Sequence, residues 1–411
     1  MLRAVLTAAA CLLATGWASA QIEPATQPTQ PLTWPRLMNS RLIVTRDDAA
    51  KLSGSVPATQ GPWSARLSPD GVRMLYVRTE TLPVKARTPT APSAITVHRI
   101  VLRDMIESSE KRLPIPPCTT DDIIPMQMKM NVFDVMGKRI VLGAGEDPNS
   151  QGYSSYGMGD KMQGYVYDLD TETLSALGVR DLIVVPTFDR TGKGVFAHTW
   201  NRVTTGAGIH FVSLDAPGPK KLDVPGAPWT MCPTADILPI DQTPMRGRGE
   251  EGIKLVLYDV QARRVLTALP VGGGDASASI FAPQWTSDGR YLYYADVIRE
   301  GASTTLVLTL SSFVYDCQEK KQVGTVPRCF ALGFGPTPTT MVMYQVDKDS
   351  KKRWLVLHDL SKGTVVRLGE AGVRPLDARG KYVLYARSLT GGKEGIFKGE
   401  IAMSPADETA P

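Results

Sequence analysis

The sequence predicts an all-β protein built as a closed ring of small sheets, a β-propeller. A glycine turn followed by a strand-like run recurs five times along the 411 residues, at the spacing of propeller blades. A second element, an apolar run that ends in aspartate, closes most repeats. One stray copy of this second element precedes the first repeat, and the last repeat lacks it. A chain of this length would otherwise suggest two or three domains, but a ring of repeats can form one domain of that size.

The recurring turn has the form Ser/Thr/Asp-x-x-Gly. Its first residue accepts a hydrogen bond from the backbone, and its glycine supplies the open dihedral of a tight hairpin turn. The glycines are 66, 55, 97 and 91 residues apart, so the last two gaps each hold one degenerate unit. We place these units at Trp229 to Leu257 and at Phe330 to Leu357. The five turns are Ser68–Gly71, Asp134–Gly137, Asp189–Gly192, Thr286–Gly289 and Asp377–Gly380.

The second element predicts the outer hairpin of each four-stranded blade. Its copies end at Asp104, Asp168, Asp259 and Asp359. The stray copy spans Arg41 to Asp47, whereas the final unit ends near Met403 without one. We therefore predict seven blades, with six or eight as alternatives, and a ring closed by pairing of the N-terminal strand with the last blade. Such closure removes the exposed edges of an open array.

Two of the repeats also carry a family resemblance. Ser68-Pro69-Asp70-Gly71, followed by Met74-Leu75-Tyr76, resembles the hallmark of TolB-like β-propellers with WD-repeat-like blades, and Gln284 to Tyr293 is similar. The resemblance covers roughly residues 40 to 403 and implies the propeller fold. It implies nothing about chemistry, because one fold hosts many functions.

The N-terminus has the pattern of a secretory signal peptide. An uncharged run from Ala4 ends in Ala18-Ser19-Ala20, which fits signal-peptidase cleavage better than a membrane anchor or a lipoprotein site at Cys11. We assign residues 1–20 to the signal peptide, 21–35 to a disordered Pro/Gln/Thr linker, 36–403 to one propeller domain and 404–411 to a flexible tail. The expected protein is exported, periplasmic or extracellular, and has no membrane span.

Charge and cysteine content restrict the classes of partner and cofactor that the sequence allows. Lys and Arg number 46 against 41 acids, and they are scattered, which argues against nucleic acid as a partner. The longest basic run, Lys351-Lys352-Arg353, is typical of a solvated loop. Four cysteines beyond the leader allow three pairings, of which Cys317 with Cys329 is favoured because they flank a short connection; four free thiols are the alternative. The absence of any C-x-x-C motif leads us to predict no metal and no cofactor.

The connections between second and third strands are predicted to be long, which elaborates one face of the ring. Binding sites usually lie on such loops of a rigid scaffold. These connections are Thr79 to Thr96, Gly145 to Gly164, Met245 to Gly252, Asp347 to Arg353 and Leu389 to Gly395.

Two of these loops supply our candidate binding residues. Tyrosine offers a flat apolar face with a polar tip, and carboxylates accept hydrogen bonds from hydroxyls and amines, which suits sugars and peptides. A solvated loop with its tyrosines packed on a neighbouring blade is the alternative, and the order of ligands in a calcium loop is absent. The candidates are Glu146, Asp147, Tyr153, Tyr156, Asp160, Arg246, Arg248 and Glu250.

Catalytic patterns are weak in this sequence. His198 and His210 lie on the two strands of one hairpin and could approach each other, yet no third metal ligand is visible. The segment Gly152 to Gly157 has the wrong spacing for a nucleophile elbow. In addition, Asp70-Gly71 and Asp288-Gly289 are contiguous, unlike the sialidase Asp-box. We therefore assign no catalytic residues.

The function that this sequence favours is recognition without catalysis. We expect an exported binding scaffold whose loop-rich face recognises a protein, a peptide or a glycan. The alternative is a propeller enzyme that acts on polysaccharide, as a lyase or glycosidase, and a structural subunit of an envelope complex is a third possibility.

Overall fold

In the computed structural model, seven antiparallel sheets form the blades of a β-propeller, which confirms the predicted fold class. The 27 strands are the only regular structure in the part of the chain that the structure describes. That part comprises residues 35–45, 65–83, 94–114, 132–144, 163–180, 182–199, 208–216, 218–242, 255–269, 281–300, 307–347, 353–369, 373–390 and 394–403.

Blades are numbered here along the chain, and their strands run in order from the ring axis outward. The first three blades consist of β2 (Ala65–Leu67), β3 (Arg73–Pro83), β4 (Ala94–Asp104) and β5 (Glu110–Arg112); β6 (Arg139–Ala144), β7 (Gln163–Asp168) and β8 (Thr173–Arg180); and β9 (Leu182–Phe188), β10 (Gly194–Thr199), β11 (Gly208–Ser213) and β12 (Pro219–Lys221).

The fourth, fifth and sixth blades have four strands each, and both degenerate units of the sequence are among them. They consist of β13 (Ala227–Pro228), β14 (Ile237–Asp241), β15 (Leu255–Asp259) and β16 (Arg264–Ala268); β17 (Phe281–Trp285), β18 (Tyr291–Glu300), β19 (Val307–Asp316) and β20 (Lys321–Pro327); and β21 (Cys329–Phe334), β22 (Thr340–Val346), β23 (Arg353–Asp359) and β24 (Thr364–Arg367).

The seventh blade closes the ring. It contains β25 (Arg374–Arg379), β26 (Tyr382–Ser388), β27 (Glu394–Ala402) and, as its outer strand, β1 (Arg36–Thr45) from the other end of the described chain. Strand β1 pairs antiparallel with β27 from Arg36 to Thr45, with irregularities between Met38 and Arg41 and between Leu42 and Val44. The predicted closure by the N-terminal strand is confirmed.

The second blade has the shortest inner strand. Its innermost segment is reduced to a bridge between Phe133 and Ile140, supported by a 2.8 Å hydrogen bond from the Val141 amide to the Val132 carbonyl. The predicted glycine turn of this blade therefore joins a single bridge to β6.

The core is divided among the interfaces between blades. Six clusters of buried side chains each join neighbouring blades, and one of them packs Val44 and Leu384 of the seventh blade against Leu67 and Met74 of the first. Each sheet has two apolar faces that only its neighbours cover, so a single blade cannot bury its own core.

All five glycine turns form, and they interlock around the ring. Their glycines have φ between 56° and 70°, the left-handed region that glycine adopts without strain. A Cβ on Gly71 would strike the Tyr382 ring of the seventh blade, and one on Gly289 would strike Thr234 of the fourth. Each of these turns thus packs against the blade that precedes it in the ring.

The aspartates of the second sequence element cap the outer turns. Asp104 Oδ1 accepts hydrogen bonds from the amides of Ile106 and Glu107 at 2.8 and 3.0 Å. Equivalent bonds form at Asp168, Asp259, Asp316 and Asp359. These carboxylates stabilise turns, since an aspartate that bonds the backbone a few residues on fixes a turn conformation.

The predicted loop from Thr79 to Thr96 is wrong at both ends, where Thr79–Pro83 and Ala94–Thr96 belong to strands, and residues 84–93 lie outside the described residues. Strand β3 continues to Pro83, and β4 begins at Ala94, with eleven paired positions between them. The fifth blade has a similar arm, in which β18 and β19 pair over ten positions. The Thr, Val and Ile residues near the arm of the first blade favour an extended conformation, which lengthens the hairpin beyond the sheet.

The favoured cysteine pairing is also wrong. Cys232, Cys317 and Cys329 are free thiols, and Cys118 lies outside the described residues. Strand β20 separates Cys317 from Cys329, and its seven residues span about 23 Å. A disulfide requires Cα atoms within about 7 Å, so this pair cannot bond.

Candidate binding face

The two faces of the ring differ in what they carry. Glycine turns and aspartate-capped outer turns lie on one face. The connection between second and third strands opens on the opposite side in every blade, and we call that side the loop-rich face. Its strand ends are residues 83 and 94, 144 and 163, 199 and 208, 241 and 255, 300 and 307, 346 and 353, and 388 and 394.

The eight predicted binding residues belong to two of these connections and lie outside the described residues. Glu146, Asp147, Tyr153, Tyr156 and Asp160 fall between β6 and β7, in the second blade. Arg246, Arg248 and Glu250 fall between β14 and β15, in the fourth blade. The ends of these strands lie on the loop-rich face, and convergence of the side chains on one surface stays a prediction.

Sequence reasoning missed a group of arginines and aromatic rings on this face, which we call the sixth-blade platform. The Arg367 guanidinium lies 4.1 Å from the centroid of the Trp354 ring and 3.4 Å from Asp347 Oδ2. Beside it, the Arg353 guanidinium lies 5.8 Å from the centroid of the Tyr344 ring. Cation–π contact with a flat ring holds each arginine in place, and a guanidinium is a multiple N–H donor suited to anionic acceptors.

The chemistry of the platform suits acidic or hydroxyl-rich ligands. Arg367 is exposed, and Arg353, Trp354 and Tyr344 are half-buried. Arginine binds carboxylates through two parallel hydrogen bonds, and an aromatic face stacks on a sugar ring or a peptide side chain. The sequence feature that could have pointed to this platform is Arg353-Trp354, at the end of the basic run Lys351-Lys352-Arg353.

A charged pair sits near the axis, where the seventh blade meets the first. Arg66 Nη1 donates to the Leu376 carbonyl at 2.7 Å and lies 3.6 Å from Asp377 Oδ1. The other oxygen of Asp377 accepts from the Leu67 amide at 2.8 Å. Burial lowers the pKa of Arg66, while Asp377 opposes that shift and the charge of Arg379 adds to it. These contacts join the inner strand of the first blade to the inner strand of the seventh.

The two strand histidines do not approach each other as the sequence suggested. His210 is paired with Ala197, and His198 with Ile209. Because directly paired residues share a face and successive residues alternate, the two imidazoles lie on opposite faces of their sheet. A shared metal ion or an acid/base pair is therefore ruled out by the register.

The environment of His198 is that of a core residue. The side chain is fully buried, and neither ring nitrogen has a hydrogen-bond partner among the described residues. Burial lowers the pKa of His198 to about 4, and the nearby His210 adds to the shift. Burial also lowers the pKa of His210, with a contribution from Lys221. Both rings are neutral at pH 7.

A third buried imidazole ties the fifth blade to the sixth. The Tyr293 hydroxyl and His358 Nδ1 are 2.9 Å apart in a buried hydrogen bond, and the two rings meet edge to face. Burial raises the pKa of Tyr293 and lowers that of His358, although Asp359 opposes the latter shift. The pair bridges two blades within the core, away from the loop-rich face.

A small cavity of about 110 Å³ lies on the opposite side of the sixth blade, against the closing strand. It is too small for most ligands, whose pockets measure about 300 to 1,000 Å³. Its lining residues are Pro35, Leu357, Asp359, Lys362, Thr364, Val366 and Met403.

The residues that the structure describes hold no group of three or more His, Cys, Asp or Glu side chains placed to bind one metal ion. They also contain no helix of the length and apolarity needed to cross a bilayer.

Comparison with known proteins identifies the fold and no family. No protein-family model matches the chain, and no curated protein matches it by sequence. Two similar solved structures have a TM-score of 0.51. One is an oligogalacturonate lyase in complex with manganese, 13% identical, with 83% of this chain and 89% of that one covered. The other is hydrazine synthase of Kuenenia stuttgartiensis, 10% identical, with 86% and 99% covered.

TolB from Acinetobacter baumannii is also among the similar structures. It has a TM-score of 0.37 and 12% identity, and the match covers 80% of this chain and 81% of that one. Identities this low indicate shared architecture alone. The chain is a seven-bladed β-propeller whose fold is shared with proteins of very different activities.

Proposed function

We propose that the protein is an exported binding scaffold that recognises a protein, a peptide or a glycan on its loop-rich face. One observation carries the proposal: every connection between second and third strands opens on that face, whereas interlocked turns occupy the other. A rigid ring that gathers variable loops on one side is suited to recognition. No catalytic residue and no cofactor enter this proposal.

The charge and shape of the face support the same function. The sixth-blade platform offers aromatic rings with arginines stacked on them. Loops of the second and fourth blades would add the carboxylates, tyrosines and arginines from Glu146 to Asp160 and from Arg246 to Glu250. Enrichment in tyrosine, tryptophan and arginine is typical of the residues that dominate binding energy at interfaces.

Export is the second part of the proposal. The uncharged run that ends in Ala18-Ser19-Ala20 supports removal of residues 1–20 by signal peptidase. N-terminal sequencing of the protein from the periplasm or medium of an expressing bacterium tests this point. We expect Gln21 as the first residue, and an intact Met1 in the cytoplasmic fraction would contradict export.

Affinity capture from envelope and secreted fractions tests the binding face. We compare the wild-type protein with two loop-face variants. The first combines Trp354→Ala and Arg367→Ala, and in the second a short glycine linker replaces residues 146–160. The control carries Glu107→Ala and Met136→Ser, two exposed positions on the turn face. We expect at least tenfold weaker capture by either loop-face variant and unchanged capture by the control. Unchanged capture by both loop-face variants would refute the proposed face.

A polysaccharide-acting enzyme is the second candidate function. The oligogalacturonate lyase shares the fold over 83% of this chain, so a ring of this form can support such chemistry. Incubation with polygalacturonate and other polymers tests it, by assay of unsaturated products and new reducing ends. Product that appears with the wild-type protein and not with the loop-face variants would favour the enzyme over the scaffold.

A further inference from the structure

Two cysteines, the buried Cys232 and the half-buried Cys317, lie where the fourth blade packs on the fifth. Cys232 lies between β13 and β14, and its Sγ is 3.6 Å from the Gly289 carbonyl oxygen. Cys317 directly follows β19, and its amide donates to the Arg290 carbonyl at 2.9 Å. Both cysteines therefore contact the segment Gly289-Arg290, at the end of the Thr286–Gly289 turn.

Both cysteine side chains belong to the apolar layer between the fourth and fifth blades. Tyr315 is paired with Leu292, and both belong to the cluster that joins the fourth and fifth blades. Cys317 lies two residues beyond Tyr315, so it projects from the same face of the sheet, toward the fourth blade. Cys232 is a fully buried member of this cluster, and Cys317 packs against it.

We propose that Cys232 and Cys317 form a disulfide that joins the fourth blade to the fifth when the protein folds in an oxidising environment. The physiological setting of this bond rests on the export proposed above, because secreted and periplasmic compartments permit disulfides. In the reaction, each thiol gives up its proton, a bond forms between the sulfurs, and two electrons pass to a disulfide oxidant. That oxidant, for example oxidised glutathione, is reduced to two thiols.

The environment of the pair determines when the bond forms. Burial raises the pKa of Cys317 to about 12, and Cys232 and Asp316 add to the rise. The thiolate is the species that attacks a disulfide, and very little Cys317 thiolate exists at neutral pH in the folded state. Oxidation should thus be fast while the chain folds and slow afterwards, and the buried bond should resist reduction.

Refolding of the full chain at neutral pH tests the proposal. One sample refolds with a mixture of oxidised and reduced glutathione, and the other with excess reductant. Free thiols are then alkylated in denaturant, and proteolytic peptides are mapped by mass spectrometry. We expect a cross-linked peptide that joins Cys232 to Cys317 in the oxidised sample, with Cys329 alkylated in both samples.

Thermal unfolding supplies the second readout. The bond closes a long loop, so the oxidised protein should melt about 5 °C above the reduced one. Cys232→Ala and Cys317→Ala should abolish this difference, whereas Cys329→Ala, which removes a buried thiol at another blade interface, should preserve it. Cross-links that involve other cysteines, or full alkylation of Cys232 and Cys317 after oxidative refolding, would overturn the proposal. Neither result depends on export, so a failure of export in the cell is distinguished from a failure of the pairing.

Discussion

Gly71 shows how packing against a neighbouring blade restricts a single residue of this ring. It has φ of +68°, and a Cβ at this position would strike the Tyr382 ring of the seventh blade. Gly71→Ala therefore combines left-handed backbone strain with overpacking against a half-buried ring. We expect a loss of about 3 kcal/mol in the free energy of unfolding, measured by chemical denaturation.

Gly363→Ala is the matched control for this prediction. Gly363 also has positive φ, +61°, yet a Cβ there would meet open space. We expect a loss of about 1 kcal/mol, from backbone strain alone. Equal losses for the two variants would show that contact between the turn and the preceding blade does not contribute.

His198 makes the stability of the ring sensitive to acid. Its folded pKa of about 4 lies below the ordinary histidine pKa of 6.5. The unfolded chain thus binds the proton first, and stability is present above pH 6.5 and falls as the pH drops toward 4. At pH 5 this costs about 2 kcal/mol relative to pH 7. Between pH 7 and pH 5, we expect the free energy of unfolding of His198→Leu to fall by about 2 kcal/mol less than that of the wild type. Denaturant titrations at the two pH values measure this difference.

His210→Gln serves as the comparison for acid sensitivity. His210 is half-buried and lies on the opposite face of the same hairpin. Its removal should flatten the pH profile less than removal of His198. Identical profiles for wild type and His198→Leu would show that the buried imidazole is not the acid-sensitive group.

At the scale of an element, buried apolar side chains hold the closing strand β1 against the ring. Val44 is buried among residues of the first and seventh blades, whereas Leu42 of the same strand is 43% exposed. Val44→Asp places a charge in this apolar layer and should cost more than about 3 kcal/mol, because an unpaired buried carboxylate loses its hydration. The thermal unfolding midpoint measures the loss.

Leu42→Asp is the control within the same strand. The carboxylate reaches water there, so we expect a loss below about 1 kcal/mol. If both substitutions were equally mild, pairing of β1 with β27 would not be needed for stability.

At the scale of the whole molecule, the ring should unfold as one unit. Every blade shares its core with two neighbours, and the seventh is joined to the first by the Arg66–Asp377 contact as well as by apolar packing. We expect unfolding followed by far-ultraviolet circular dichroism and by tryptophan fluorescence to give coincident transitions. Two separated transitions would indicate that the ring opens and that blades unfold in groups.

Local chemistry was readable from the sequence because it acts within a few residues. The turn at Ser68–Gly71 needs only its own hydroxyl, carboxylate and glycine, and the cap at Asp104 needs only the amides that follow it. Repetition of these two elements was enough to predict the blades and their closure by β1. The face of the candidate site followed from strand order, but the sixth-blade platform did not. Its Arg367 and Trp354 lie on separate strands and meet only once the register is set.

By itself, the sequence determined the β-propeller fold and the closure of the ring by the N-terminal strand, because both follow from short-range turns repeated along the chain. The structure then settled the number of blades at seven, where the sequence had left six or eight as alternatives. Only the tertiary structure decided which residues meet across blades. One position of register places His198 and His210 on opposite faces, and curvature of the ring brings Arg66 to Asp377 and Cys232 beside the turn next to Cys317. Contacts between residues far apart in the chain depend on register and packing angle, which no local pattern encodes.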